Sequence, residues 1–404
     1  MSAPCPQCGA ALPTDPRFVS WCEACDWNLE PRGARQEEEK PRQRRGRERA
    51  LRRAQRLHDE MVRRGTDEAG VDAGRVLTYG LAVIVLAIPV ALFGLGVLLL
   101  VASGFTVVGI VLAMVIIATA IVARPRFGRR PAKSEATVGR AAAPALYAVL
   151  DRLALATAAR VPVYVVVDGD YNAATRFVGL RRRVELRIGM PLWAVLDDPE
   201  RIAVLAHEMA HQSNGDSAHS LVVGGAMGTL VELQLLFAPS RVFHHASIGA
   251  ALSELVRGGF AALLRGVRRG MELLLARPHQ RAEYRADALA ARVAGGEAMA
   301  RTLGALLLAD SCRFAVQRAR SRGSEEDALS IVRAHVEALP AREQERLRRV
   351  AARQGSRVDA SHPPTPLRME WVTRLGGGTA QVAVSPAESA AVSAELRDAW
   401  ARRR

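Results

Sequence analysis

Two stretches without a charged side chain dominate the hydropathy pattern: Val76 to Ala102, twenty-seven residues, and Phe105 to Val122, eighteen. As helices rising 1.5 Å per residue they reach ~40 Å and ~27 Å, against ~30 Å of hydrocarbon in a bilayer. Ser103-Gly104 is the natural break between them, and Pro89 is tolerable as a kink within the longer run. The pattern predicts a transmembrane helical hairpin over 76–123. It starts seventy-five residues into the chain, which is not where a signal peptide lies.

The flanks orient that hairpin. Residues 31–75 form a charged linker in which fourteen Lys/Arg face nine Asp/Glu, and RPRFGRRPAK follows the second apolar run. Both ends therefore belong in the cytoplasm, with only the uncharged turn outside. Within the linker Leu51, Ala54, Leu57 and Met61 recur at helical spacing, which predicts a solvated helix between modules.

Beyond residue 124 the pattern becomes mixed. VPVYVVV at 161–167 is β-branched and strand-like, and VELRI at 184–188 alternates apolar and charged positions as a half-buried strand does. Helical periodicity dominates from Asp198 to about Gln354, a Pro-rich loop at 361–366 leads into another helix, and Ser385-Pro386-x-Glu388 opens a final basic helix over 377–404 in capping-box form. The expected class is α+β, mainly helical, with no internal repeat.

Composition narrows the partners. Hydrophobic residues at 49% exclude disorder, and a net charge of +15 calls for an anionic neighbour, a nucleic acid or the inner face of a membrane. Aromatics at 5% argue against base-stacking platforms, and the hairpin selects the lipid bilayer. Nothing in the sequence bears on oligomeric state.

Four of the five cysteines fall in the first thirty residues, as Cys5/Cys8 and Cys22/Cys25 in two C-x2-C knuckles thirteen residues apart. Four thiolates can close a tetrahedral shell around zinc and so supply folding energy that so short a segment lacks. This predicts a structural zinc ribbon over 1–30, in a reducing compartment. Cys312 stands alone and is expected as a small buried hydrophobe.

The chemistry centres on His207-Glu208-Met209-Ala210-His211. Asp198 as N-cap and Pro199 start a helix whose buried stripe includes Ile202, Leu205 and Met209. His207 and His211, four apart, project from one face and can bind a single zinc, with Glu208 in reach of a water as general base. A third ligand is needed. The metzincin extension fails, because Asn214 and Ser217 stand where it requires Gly and His. The better candidate is Glu283, four residues before Asp287: two carboxylates at that spacing repel unless one meets the metal and the other holds a ligating histidine's second N–H. Glu232 is the rival.

HEMAH, the downstream Glu283 and Asp287, SHPPTPLRMEW at 361–371, Asn172-Ala-Ala-Thr175 and PERIAVLAHEMAH together resemble the HtpX-like and CAAX-prenyl-protease family of membrane zinc metallopeptidases, over roughly residues 140–375. The resemblance implies a gluzincin-type peptidase domain, set here at 124–376, with a small edge-stranded sheet. It implies that His207, His211 and Glu283 bind a catalytic zinc beside the structural one in the ribbon, that Glu208 is catalytic and Asp287 supports the ligands, and that His362 and Arg368 stabilise the tetrahedral intermediate. Read from the residues alone, His362 is a loop histidine and Arg368 a helix-surface cation. The chain departs from the family between His211 and Glu283, where HtpX-like members carry two further spans. Here 220–237 could span, but 246–264 holds Glu254 and Arg257, costing ~2.5–3.5 kcal/mol each at a span's centre. His211 and Glu283 must meet at one metal, so the intervening chain crosses zero or two times. Zero is expected, with a helical pair lying against the protein or the membrane surface.

The expected activity is hydrolysis of peptide bonds in protein or peptide substrates at the cytoplasmic membrane face. VELRI, with Val184 and Leu186, is the expected edge for pairing an extended substrate, and Asn172 lies close by. The alternative is a membrane-tethered zinc-ribbon regulator or adaptor with a non-catalytic peptidase-like domain.

Overall fold

The computed structural model describes all residues but 1, 14, 32–40, 67–72, 126–135, 180, 214–216, 239–247, 324–326, 355–361 and 403–404. Parts of the charged linker, the basic stretch after the hairpin and Ser361 of the C-terminal motif fall outside them.

The N-terminal module is a two-stranded antiparallel ribbon, β1 (Ser2–Pro4) and β2 (Ala11–Pro13), whose knuckles sit on tight turns. Helix α1 (Pro41–Arg64) follows. It is not freely solvated: Ala54, Leu57, His58 and Met61 are buried. Its Glu60 pairs with Arg277 and Arg281 further along the chain.

Helix α2 (Ala73–Ala102) runs unbroken through Pro89, and α3 (Val107–Val122) returns beside it. α3 has sixteen residues because Gly104 and Phe105 both take positive φ and Thr106 caps the helix, accepting from the Gly109 N–H. The helices meet closely at Gly96, where an added Cβ would lie 2.5 Å from Ile117. Among the described residues α2 alone is long and apolar enough to cross a membrane, with shorter apolar helices at Val107–Val122 and Leu221–Leu236.

The next elements form the main core. They are β3 (Ala136–Val138), α4 (Pro144–Thr157), β4 (Tyr164–Asp168), β5 (Ala173–Val178), β6 (Arg183–Gly189), α5 (Met190–Val195) and α6 (Asp198–Ser213). The sheet order is β3-β4-β6-β5, with β4 and β6 parallel and the outer pairs antiparallel. This corrects the expected edge. β6, which contains VELRI, is paired on both sides, and Val184 and Leu186 are 2% and 0% exposed. They pack the core and cannot receive substrate. Among the described residues the edge strands are β3 and β5, and β5 is the edge on the side of β6. Gly189 ends β6 where only glycine fits, since a Cβ would fall 1.8 Å from the Asp170 carbonyl oxygen.

Helices complete the chain: α7 (Ser217–Leu236), α8 (Ile248–Ala294), α9 (Gly296–Leu306), α10 (Ala309–Ser321), α11 (Ala328–Glu337), α12 (Ala341–Gln354), α13 (Thr365–Arg374) and α14 (Pro386–Ala401). α7 and the first two-thirds of α8 pack against α2 through Ala82, Val85, Val223, Leu230, Leu264 and Met271. The final third of α8 enters the main core, with Tyr284, Ala290 and Val293 buried among α6, α9 and α13 residues. Cys312, on α10, is buried as a small hydrophobe. α14 has the expected capping box at Ser385 and Glu388. It is no separate tail. Val392, Leu396 and Ala399 pack into the core, and Glu395 accepts both N–H groups at the start of α4, from Ala145 and Leu146.

Candidate metal centre

α6 begins with a reciprocal cap one residue earlier than expected. The Asp197 carboxylate accepts from the Glu200 N–H, and the Glu200 carboxylate accepts from the Asp197 N–H. Asp198 instead accepts from Arg201 and Ser389. Ala203, Ala206, Met209 and Ala210 bury α6 against the sheet and α8, which turns His207 and His211 toward α8.

There they meet Glu283. His207 Nε2 lies 3.2 Å from His211 Nε2 and 3.6 Å from Glu283 Oε2, and His211 Nε2 lies 3.5 Å from Glu283 Oε1. Donors bound at 2.0–2.1 Å in a tetrahedron stand ~3.3 Å apart, so the spacing fits one zinc ion. Glu283 Oε2 is buried and makes no hydrogen bond of good geometry among the described residues, although the Arg368 guanidinium lies 3.0 Å from it. The rival Glu232 is not among the grouped donors.

The surroundings order these donors. Asp287 Oδ1 lies 3.0 Å from His207 Nδ1, on the ring edge away from the donor atom. Arg368, brought in by α13, donates to both Asp287 oxygens at 2.8 and 2.7 Å, and its other terminal nitrogen lies 3.0 Å from Glu283 Oε2. This buried fork on two carboxylates is a holding geometry, unlike the exposed surface cation that the residue pattern describes. His362 differs: its ring is 52% exposed, with Nε2 3.7 Å from Glu283 Oε1. α13 is fixed to α8 by the Trp371 Nε1–H, which donates to the Tyr284 carbonyl at 3.0 Å.

Burial and the adjacent His207 hold His211 down to about 4, which keeps it in the neutral form that binds metal. Burial pushes the Glu208 carboxyl up to about 7, opposed by His207 and by a hydrogen bond from the Thr175 N–H. Burial also disfavours charge on Glu283 and Asp287, yet Arg368 and the imidazoles outweigh it and both carboxyls are lowered.

The residue pattern gives no sign of the contact with Thr175. In an antiparallel ladder successive residues turn their backbone groups to opposite sides. The Asn172 carbonyl accepts from the Gly189 N–H, so 173, 175 and 177 face away from β6. The outer edge of β5 therefore runs past Glu208. Asn172 itself is exposed at its start. The NAAT segment was the signal in the sequence, but nothing local distinguished β5 from β6 as the edge.

The cysteines form a second donor group. Cys5 Sγ lies 3.7 Å from Cys25 Sγ, and Cys8 Sγ 3.5 Å from Cys22 Sγ, near the ~3.8 Å separation that tetrahedral zinc–thiolate bonds of ~2.3 Å produce. The ribbon is docked on α12. Arg342, Arg346 and Arg349 donate to carbonyls of Trp21, Leu29 and Glu23, Arg349 and Arg353 pair with Asp26, and Arg342 and Arg349 stack on the buried Trp21.

A helix carrying HExxH, joined by a glutamate from a later helix, defines a zinc metallopeptidase centre of the gluzincin type. The model of peptidase family M48 matches residues 140–375, and the chain belongs to that family. No curated protein and no solved structure matches it. The protein is thus a zinc-dependent hydrolase that acts on protein substrates, and its four N-terminal cysteines can hold a second, structural metal.

Proposed function

We propose that this protein is a membrane-anchored zinc endopeptidase that cuts extended segments of protein substrates at the cytoplasmic membrane face. The observation that carries it is the convergence of His207, His211 and Glu283 at tetrahedral spacing, with Glu208 between the metal donors and the free edge of β5.

His207, His211 and Glu283 would hold the zinc, which when bound would supply a Lewis acid and lower the pKa of water toward ~7. Glu208 takes the proton from the attacking water at its carboxylate and delivers it to the leaving amine. The outward N–H and C=O groups of β5 pair with the substrate backbone, which favours unfolded or flexible segments over a particular side chain. His362, the exposed imidazole beside Glu283, donates to the oxyanion that develops on the scissile carbonyl. Arg368 acts as a positioning residue, holding Asp287 and Glu283 so that Asp287 can orient His207.

α2 and α3 form the membrane hairpin, with the 103–106 turn outside and the flanking arginines inside. The pair made by α7 and the start of α8 stays on the cytoplasmic side, leaning on α2. Arg257, Arg265, Arg268 and Arg269 interrupt α8 too often for a further span.

Glu208→Gln tests the mechanism. The variant should keep its zinc and its fold while cleavage of an unstructured protein falls by about 10²–10⁴-fold. Activity retained in the purified variant would remove Glu208 from the role assigned to it.

A further inference from the structure

Away from the metal centre, α1, α7 and α8 enclose a cavity of about 920 Å³. This is within the ~300–1,000 Å³ typical of small-molecule sites. One wall is apolar, formed by Val223, Met227 and Leu273. The rim carries Arg53, Arg56, Arg269 and Arg277. Two acids share the rim and are engaged: Glu272 pairs with Arg268 and Arg269, and Glu60 with Arg277 and Arg281. Arg53 and Arg56 stand exposed on α1. The peptidase reading uses none of these residues.

Position in the fold says what such a cavity meets. Val223 belongs to the cluster that packs on Ala82 and Val85 of α2, and Met227 lies against it. α1, which supplies Arg53 and Arg56, is the helix immediately before α2 in the chain. On α8 Arg269 and Arg277 stand one turn either side of Leu273, while Val223 and Met227 carry the apolar wall toward the α2 cluster. A cationic mouth on an apolar wall that continues toward α2 suits a lipid with an anionic head group.

We propose that this cavity binds an anionic glycerophospholipid, its phosphate held by Arg53, Arg56 and Arg269 and an acyl chain lying on Val223, Met227 and Leu273. Basic pockets between helices on the cytoplasmic side are suited to phosphate head groups, and guanidinium groups hold phosphate in bidentate fashion. The proposal rests on α2 crossing the bilayer.

The test uses the full chain, purified in mild detergent and mixed with phosphatidylglycerol, phosphatidylcholine or soluble glycerol phosphate, with retained ligand counted by native mass spectrometry. Wild type should retain one phosphatidylglycerol and prefer it to phosphatidylcholine. Replacing Arg53, Arg56 and Arg269 together by Ala should weaken that retention at least about tenfold, given the attraction each basic side chain adds near anionic lipid. Met227→Trp, which fills the apolar wall and keeps the charges, should also expel the lipid. Equal retention of the two lipids, or retention indifferent to both variants, overturns the proposal. Glycerol phosphate binding as tightly as the lipid would show a free phosphate site and overturn it too. Resistance of the protein to alkaline extraction from membranes is measured alongside. If extraction fails and lipid selectivity is absent, the anchor stands and only the cavity assignment falls.

Discussion

Asp287→Asn isolates what the side chains behind the metal contribute. The amide has the shape of the carboxylate, so its oxygen can still face His207 Nδ1, which lies 3.0 Å from Asp287 Oδ1. Its other end becomes an N–H2 group pointed at Arg368, which now donates to both carboxylate oxygens at 2.8 and 2.7 Å. Donor then meets donor in a buried site. Breaking one partner of a buried ion pair costs about 3–5 kcal/mol, and the low end applies because Arg368 keeps Glu283 at 3.0 Å. Loss of a carboxylate behind a ligating histidine lowers metal affinity about 10–100-fold, or about 1.4–2.7 kcal/mol. The assay is chelator competition on the full chain, with the cysteine-held metal as an internal reference. Only the histidine-bound zinc should leave earlier, and thermal unfolding should come at lower temperature. Unchanged zinc affinity and unchanged unfolding together would refute the idea that Asp287 and Arg368 hold the ligands in place.

Four further outcomes are expected. Metal analysis should give two zinc ions per chain, one lost with Cys5→Ser/Cys8→Ser and the other with His207→Ala/His211→Ala; a single zinc insensitive to the histidines would remove the enzyme reading. Thr175→Pro should keep the β5–β6 ladder, since its N–H faces outward, yet lower kcat/KM about 10–100-fold by removing a charge-assisted hydrogen bond to Glu208. Gly96→Val forces a Cβ to 2.5 Å from Ile117 and should destabilise the α2–α3 pair by about 1–3 kcal/mol, read as increased protease sensitivity of the hairpin. The Glu60 carboxyl, disfavoured by burial but lowered overall by Arg277 and Arg281, contributes α1 docking that is fully present above the ordinary value of ~4.3 and lost as pH falls through its lowered one; hydrogen exchange of α1 should rise only in that acid range.

Much of the centre was legible because its chemistry is local or has few solutions. HExxH places two candidate ligands and the proposed base within five residues, and the Glu283/Asp287 pair stands out as an electrostatic conflict on one helix face. The two C-x2-C knuckles told of a metal site for the same reason. What failed was long-range. VELRI alternates like a half-buried strand, yet Glu185 and Arg187 are polar because they join an ion-pair group with Arg176 and Asp168 across the sheet, leaving β6 interior. Arg368 looked like a surface cation because its partners lie on α8, eighty-one residues earlier. The arginines of α12 gave no sign that they clasp the ribbon, since their acceptors are mostly backbone carbonyls more than three hundred residues away.

α8 carries a mechanical consequence. At forty-seven residues it is a rod of ~70 Å, with Glu283 and Asp287 near one end and its opposite portion leaning on α2. Pro278 lies five residues before Glu283 and contributes no N–H to the helical ladder, so bending concentrates there. With α2 crossing a bilayer as proposed, a change in its tilt would reach Glu283, the candidate metal-holding carboxylate, through one lever with a built-in fulcrum, and bilayer thickness would become a variable that hydrolysis can feel.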